Sequence, residues 1–392
     1  MNRKDQLWTR NFLTAALANF LVAGSFHLLM PTIPIYLSEQ LNVPNSKVGI
    51  VLASYSLALL IIRPFCGYWV DVYARKPLYL LGASLFVLVF AGYYFAVSIL
   101  FLVILRFVHG LFWGLSTVSA NTVAIDIIPS SRRAEGIGYF GVTMNLAMAF
   151  APFVAVEIYE SYGFHRLITT ALIMGGLAIL TITQIKVPKR KKLDEVPPVS
   201  LDRFILIKGI PIFFNQIFLS FGWGTLVAYA VLYGKQIDIQ NSGVFFLFLA
   251  AGIVLSRISS GRMVDRGHLH NVIVAAILLI TFGFISFALV QNIYFYLISA
   301  FLLGLGYGTL LPALQTLYIN MAPHTKRGTA NSTYLTGFDV GIGSGMLVGA
   351  SIADKLGFSN MYLITAAMSG IALLIYWFNS RGVYERNKLV RE

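Results

Sequence analysis

RPFCGYWVD (Arg63–Asp71) and RISSGRMVD (Arg257–Asp265) stand 194 residues apart and share the pattern Arg-x3-Gly-x3-Asp. The same offset carries Gly110 and Gly114 to Gly304 and Gly308, and Pro129 with Arg133 to Pro323 with Arg327. Matches in register at one constant offset, across loops and apolar segments alike, mark a duplicated chain. Between the copies lies KVPKRKKLDEVPPVSLDR (Lys186–Arg203), the longest strongly polar stretch, with five basic residues in its first seven. The expected organisation is therefore an N-terminal six-helix bundle over residues 1–187, a cytoplasmic linker over 188–203 and a C-terminal six-helix bundle over 204–392.

Each copy is too apolar to face water. Of 392 residues, 57% are hydrophobic and 11% charged, whereas soluble domains carry about 25% charged residues. A helix crosses a bilayer with about 20 mostly apolar residues, and such runs recur from end to end. The expected spans cover roughly 10–37, 46–70, 77–98, 100–127, 135–160, 166–187, 204–234, 242–264, 269–291, 293–320, 328–354 and 358–380. Segments such as LITTALIMGGLAILTITQI (Leu167–Ile185) are apolar on every face, which excludes the alternating strands of a membrane β-barrel. The expectation is an all-α membrane protein of 12 transmembrane helices.

The net charge of +13 is a statement about orientation. Counting a residue at the edge of a span with the adjoining loop, 22 of the 29 Lys and Arg belong to the N-terminal tail, the even-numbered loops and the C-terminal tail. Four (Lys47, Arg166, Lys235, Lys355) belong to odd-numbered loops, and Arg63, Arg106 and Arg257 lie deeper within spans. Cytoplasmic loops carry the excess of Lys and Arg, so both termini are expected in the cytoplasm, as an even number of crossings requires. Basic charge distributed this way speaks against a nucleic-acid partner. The first apolar segment is longer than a signal-peptide core and reads as a retained span. Compact loops suggest a prokaryotic plasma (inner) membrane. The single Cys66 excludes an intramolecular disulfide and a metal site built on several thiolates, and no metal ligand set is expected. No P-loop, GxSxG or HExxH pattern is present, which argues against an enzyme and for an ion gradient as the energy source, with no bound cofactor.

Parallel repeats are a mark of transporters whose binding site lies near mid-membrane between two rocking halves. The residues above resemble the major facilitator superfamily over nearly the whole chain. Gly67-Tyr-Trp-Val-Asp71-Val-Tyr-Ala74-Arg75-Lys76 is similar to that family's loop 2–3 signature, with Ala74 in place of the usual second glycine. The resemblance implies two six-helix halves related by a pseudo-twofold axis and a conformational latch of Gly67, Asp71, Arg75, Asp126, Gly261 and Asp265. Asp71 would face a helix N-terminus, and Arg75 would pair with Asp126 at the end of the fourth span. Pro31 and Pro34 resemble the PxxP of the drug:proton antiporter-1 subgroup, and Leu105-Arg106-Phe-Val-His109-Gly110 resembles the lxRxxqG of the fourth span. The antiporter pattern of the fifth span survives as Gly138, Ala147, Ala151-Pro152 and Ala155, its spacing kept and most glycines replaced by alanine.

Charges within spans are few, and an intramembrane ionisable group is by default a functional candidate. Asp339 is expected to load and release a proton, with Arg106, His109 and His27 as further proton-coupling candidates. Arg106, His109, Trp113, Thr117 and Asn121 share one helical face, expected to line a cavity. Trp113, Asn145, Gln216, Trp223, Tyr229, Tyr307 and Gln315 are the expected substrate contacts, a lining of aromatic and amide groups suited to an amphipathic organic molecule. The expected function is proton-coupled efflux of such a solute or drug, with protons, the small molecule and membrane lipid as the partners of a monomer. Proton-coupled uptake or facilitated diffusion of a sugar, metabolite or siderophore is the alternative within transport, and a non-transporting membrane sensor the alternative outside it.

Overall fold

A computed structural model describes residues 6–95, 98–129, 132–188, 205–265, 267–290, 292–322 and 327–389, apart from the side chains at 64, 67–68, 71–72, 133–135, 145, 149, 257–262, 265 and 327–328. The expected linker lies outside the described residues except for Pro188. The first helix, α1 (Arg10–His27), is opened by Thr9, whose hydroxyl accepts the Phe12 amide at 3.1 Å. It gives way at Leu28 to α2 (Leu29–Glu39). Pro31 and Pro34 have no N–H, so the carbonyls four residues earlier, at His27 and Met30, lose their helical donors.

The chain continues through α3 (Asn45–Val72), α4 (Arg75–Gly92), α5 (Ile99–Ile127) and α6 (Arg133–Gln184). The second half holds α7 (Ile210–Gln236), α8 (Val244–Asp265), α9 (Leu269–Ala288), α10 (Ile293–Asn320), α11 (Arg327–Ile375) and the short α12 (Arg381–Asn387). Among the described residues nine helical stretches are long and apolar enough to cross a membrane, and no strand is found. Two of the nine, Gly136–Gln184 and Thr329–Asn387, run to 49 and 59 residues, more than twice what one crossing needs. Each is interrupted by a glycine in a conformation closed to other residues, Gly163 (φ 78°, ψ 175°) and Gly357 (φ 83°, ψ 162°). A twelve-span count needs both stretches to cross twice and Val244–Asp265 to cross once.

The offset of 194 residues recurs in three dimensions. Gly163 and Gly357 are one such pair. Ser98 accepts the Phe101 amide to open α5, and Asn292 accepts the Phe295 amide to open α10. Helix pairings repeat: α1 on α6, α4 on α5 and α4 on α6 correspond to α7 on α11, α9 on α10 and α9 on α11. A methyl on Gly114 would meet Leu59 and Ile62 of α3, and one on Gly308 would meet Ile253 and Ser256 of α8, the same positions one repeat later. A side-chain amide ties the first pairing in each half to the same carbonyl position, Asn19 Nδ2 to Phe140 O at 3.5 Å and Gln216 Nε2 to Tyr334 O at 2.9 Å.

Two compact units result. Met1–Ile33 with Leu57–Pro198 forms one, and Pro34–Ser56 with Val199–Glu392 the other. The division passes through α2 and α3, whereas the sequence division passes only through the linker. Leu88, Leu100, Ile173, Leu180, Phe282, Ile298 and Leu374 lie exposed on the outside, where only a hydrocarbon solvent leaves no penalty.

Candidate functional site

In the first unit the buried ionisable groups gather where α1, α4 and α5 meet. Phe26 stacks on Trp113 with ring centres 4.2 Å apart. The Arg106 guanidinium lies 5.8 Å from the centre of the Phe26 ring, and its Nη2 contacts the Met30 sulfur at 3.7 Å. His109, one turn along α5, does not stand in an open cleft. Phe86 and Phe90 of α4 flank its ring at 4.4 and 4.6 Å, and its Nδ1 meets the Tyr93 hydroxyl at 3.2 Å.

The polar stripe of α5 therefore divides. Its Arg106–Trp113 part is buried among aromatic rings. Thr117 and Asn121 sit further along, and their side chains return to their own helix, Thr117 Oγ1 to Trp113 O at 2.9 Å and Asn121 Nδ2 to Thr117 O at 3.0 Å. His27 is 7% exposed, lies against Phe26 and Trp113, and has no hydrogen-bond partner for either ring nitrogen among the described residues. It sits at the end of α1, where the chain breaks before Pro31.

In the second unit, three of the predicted substrate contacts hold helices together. Gln216 of α7 reaches the Tyr334 carbonyl of α11, Tyr229 donates to the Met346 carbonyl at 2.6 Å, and Tyr307 of α10 donates to the Leu219 carbonyl at 3.0 Å. A buried hydroxyl or amide needs a partner, and a neighbouring helix supplies it. Trp223 packs edge-on against Tyr307 at 4.9 Å. Gln315 Nε2 donates to Asn331 Oδ1 at 2.7 Å. Asn145 lies outside the residues whose side chains are described.

Asp339 is 6% exposed and is the one carboxylate among the buried described side chains. Its helix, α11, has two working faces. Gly337, Gly341, Gly345 and Gly349 lie against Phe213, Ser220, Phe221 and Thr225 of α7. Asp339 belongs to the other face, with Gly343 and Met346 one and two turns on.

Of the expected latch, Gly67, Asp71, Gly261 and Asp265 lie outside the residues whose side chains are described. Arg75, which opens α4, pairs through Nη1 with Asp126 Oδ1 at the end of α5, and its Nε reaches the Val70 carbonyl at 3.2 Å. The pair is largely covered, at 14% and 25% side-chain exposure. Lys76 Nζ donates to the Thr183 carbonyl at 2.8 Å.

Sequence reasoning missed the rings that enclose His109, because Phe86, Phe90 and Tyr93 are ordinary apolar residues of a span. It also missed Asp354, whose carboxylate takes the Asn45 and Ser46 amides. Only its place just before the helix-breaking Gly357 singles it out, as an acid at a span end.

A duplicated all-helical chain with an apolar exterior and a few buried ionisable groups on its inner helices is an integral membrane protein of the transporter class. The chain belongs to the Major Facilitator Superfamily, whose family model matches residues 15–290 and again 212–392. It is 29% identical over 385 residues to the Multidrug resistance protein MdtG of Rahnella sp. (strain Y9602), covering 92% of this chain and 90% of that one. With the protein of the same name from Erwinia billingiae (strain Eb661) the identity is 27% over 407 residues, covering 98% and 97%. In fold it is similar to a crystal structure of the nucleoside transporter NupG, with a TM-score of 0.77 at 12% identity over 94% of this chain and 98% of that one. The relatives and the fold neighbour are transporters rather than enzymes, and members of this family act on small molecules.

Proposed function

We propose that this transporter exports a small amphipathic organic solute or drug in exchange for protons, by alternating access. The observation that carries the reading is the likeness to multidrug resistance proteins over more than nine-tenths of the chain. Asp339 supports the coupling. It is the one carboxylate among the buried described side chains, and an ionisable group within a span is by default a functional candidate. Arg106, His109 and His27 are the further proposed proton-coupling groups, and Trp113 with Phe26 offers an aromatic wall to the solute. Asn145, Trp223 and Gln315 complete the proposed lining, whereas Gln216, Tyr229 and Tyr307, expected there from the sequence, are taken up as ties between helices.

Arg75 and Asp126, with Gly67, Asp71, Gly261 and Asp265, form the proposed latch on the cytoplasmic side, and the 22-to-4 distribution of Lys and Arg supports both termini on that same side. The protein would work as a monomer in a prokaryotic inner membrane, with no cofactor beyond the proton gradient. The test is substrate-driven proton release from energised inverted vesicles. Asp339→Asn should abolish release while leaving substrate binding within a few-fold of the parent. Unaltered coupling in that variant removes Asp339 from the mechanism, and proton-gradient-driven accumulation of the substrate in right-side-out vesicles overturns export.

A further inference from the structure

Helices α3 and α11 run antiparallel along a seam of small residues. A methyl on Gly49 would stand 2.6 Å from both the Ala350 Cβ and the Met346 carbonyl oxygen, and one on Gly343 would stand 2.6 Å from the Ser56 Cβ. At the far end of the seam the Asp354 carboxylate accepts the first two amides of α3, Asn45 N at 2.9 Å through Oδ1 and Ser46 N at 2.6 Å through Oδ2. In the same compact unit, Lys235 Nζ at the end of α7 meets Glu39 Oε1, the last residue of α2, at 2.8 Å.

The geometry points to a second latch, distinct from the Arg75–Asp126 pair, in which Asp354 and the Glu39–Lys235 pair fasten Pro34–Ser56 onto α7 and α11. The first amides of a helix have no partner within it and carry the positive end of its dipole, so a carboxylate is the group that holds them best. Both ties are nevertheless reachable by water. Asp354 is exposed and the Lys235–Glu39 pair about one-third so, and solvent can take over each partner when the segment leaves. At Gly49 and Gly343 the seam brings backbone close to backbone or to the small side chains of Ala350 and Ser56.

Fastening and release fit the division of α2 and α3 between the two compact units. A carrier whose halves rock has to break this seam once per cycle, because Pro34–Ser56 is continuous with helices of the first unit. The repeat offset carries Asp354 to Glu160, so a carboxylate occupies this position in both halves. The inference rests on the alternating-access reading above, but its test reads conformation without any substrate.

In a Cys66→Ala background, Ser56→Cys places a thiol in the seam and Ser116→Cys places one in the core of the first unit, both at buried positions. Maleimide modification is followed in nanodiscs, where both faces are open to reagent. Asp354→Ala should accelerate modification at Ser56→Cys by roughly 2- to 30-fold, the range for losing a helix cap. Asp354→Asn, which keeps one acceptor, should fall between, and Lys235→Gln should give at most about five-fold. Ser116→Cys should be unaffected. An unchanged rate at Ser56→Cys in Asp354→Ala overturns the latch, as does an equal acceleration at Ser116→Cys, which would mean general loosening. A labelling shift without substrate-driven proton release leaves the latch standing and overturns the coupling alone.

Discussion

Gly341→Val tests the closeness of the α7–α11 pairing. A Cβ at residue 341 would stand 2.5 Å from the Ser220 Cβ, 2.8 Å from the Ile217 carbonyl oxygen and 3.1 Å from the Ser220 carbonyl carbon. Carbon atoms in contact prefer roughly 3.5–4.0 Å, so the helices must part by about 1 Å or the side chain must strain. Two of the three obstacles are backbone atoms and cannot rotate away. Overpacking of this kind costs about 1–3 kcal/mol, and three added carbons against backbone place valine at about 3. Replacing glycine by a better helix former returns about 0.5 kcal/mol, leaving a net loss of about 2.5 kcal/mol. At roughly 2–4 °C per kcal/mol the midpoint of heat-induced loss of the monodisperse size-exclusion peak in detergent should fall by about 5–10 °C. The thiol of Cys66, buried in the other unit, gives a second probe, since its exposure on heating reports whether the two units melt together. A midpoint unchanged or raised by size exclusion would refute the close approach. The equivalent residue of the first half is already alanine, Ala147, buried against α1, so Ala147→Gly should lower stability by no more than about 1 kcal/mol.

Two further outcomes follow from the same geometry. Arg75→Ala and Asp126→Ala should each lower stability by about 1–3 kcal/mol, as expected for removing one partner of a covered, hydrogen-bonded pair; in a double-mutant cycle the double variant should be little worse than either single one, and full additivity would show that the pair does not act as a unit. Gly163→Ala and Gly357→Ala should each cost about 1–3 kcal/mol of backbone strain, measured by thermal unfolding, because no atom stands within 4 Å of the added methyl and only the positive φ opposes it; unequal losses would mean that the two breaks are not equivalent.

The Arg75–Asp126 pair was legible because opposite charges at neighbouring span ends have few alternatives in so apolar a chain. Burial of Asp339 was legible for the same reason, since an acid twelve residues into a span has no short path to water. His109 was not. Its helical face suggested a cavity, but the face of a buried helix touches several neighbours, and Phe86, Phe90 and Tyr93 took up the imidazole side. Nor were Gln216, Tyr229 and Tyr307 legible as interhelical ties. An amide or hydroxyl in a span looks the same whether it awaits a substrate or closes a carbonyl on the next helix.

The amino-acid sequence by itself determined what depends on distance along the chain. That covers the apolar stretches, the 194-residue duplication and the segregation of Lys and Arg. Each is set by solvation or by backbone conformation, which act residue by residue. The tertiary structure alone decided which helix faces meet. Gly49 against Ala350, Asp354 on the amides of Asn45 and Ser46, and Pro34–Ser56 packed with the second half join residues some 300 positions apart. Close packing selects such pairs by shape and by the need of every buried or terminal amide for a partner, and neither condition leaves a periodic trace in one dimension.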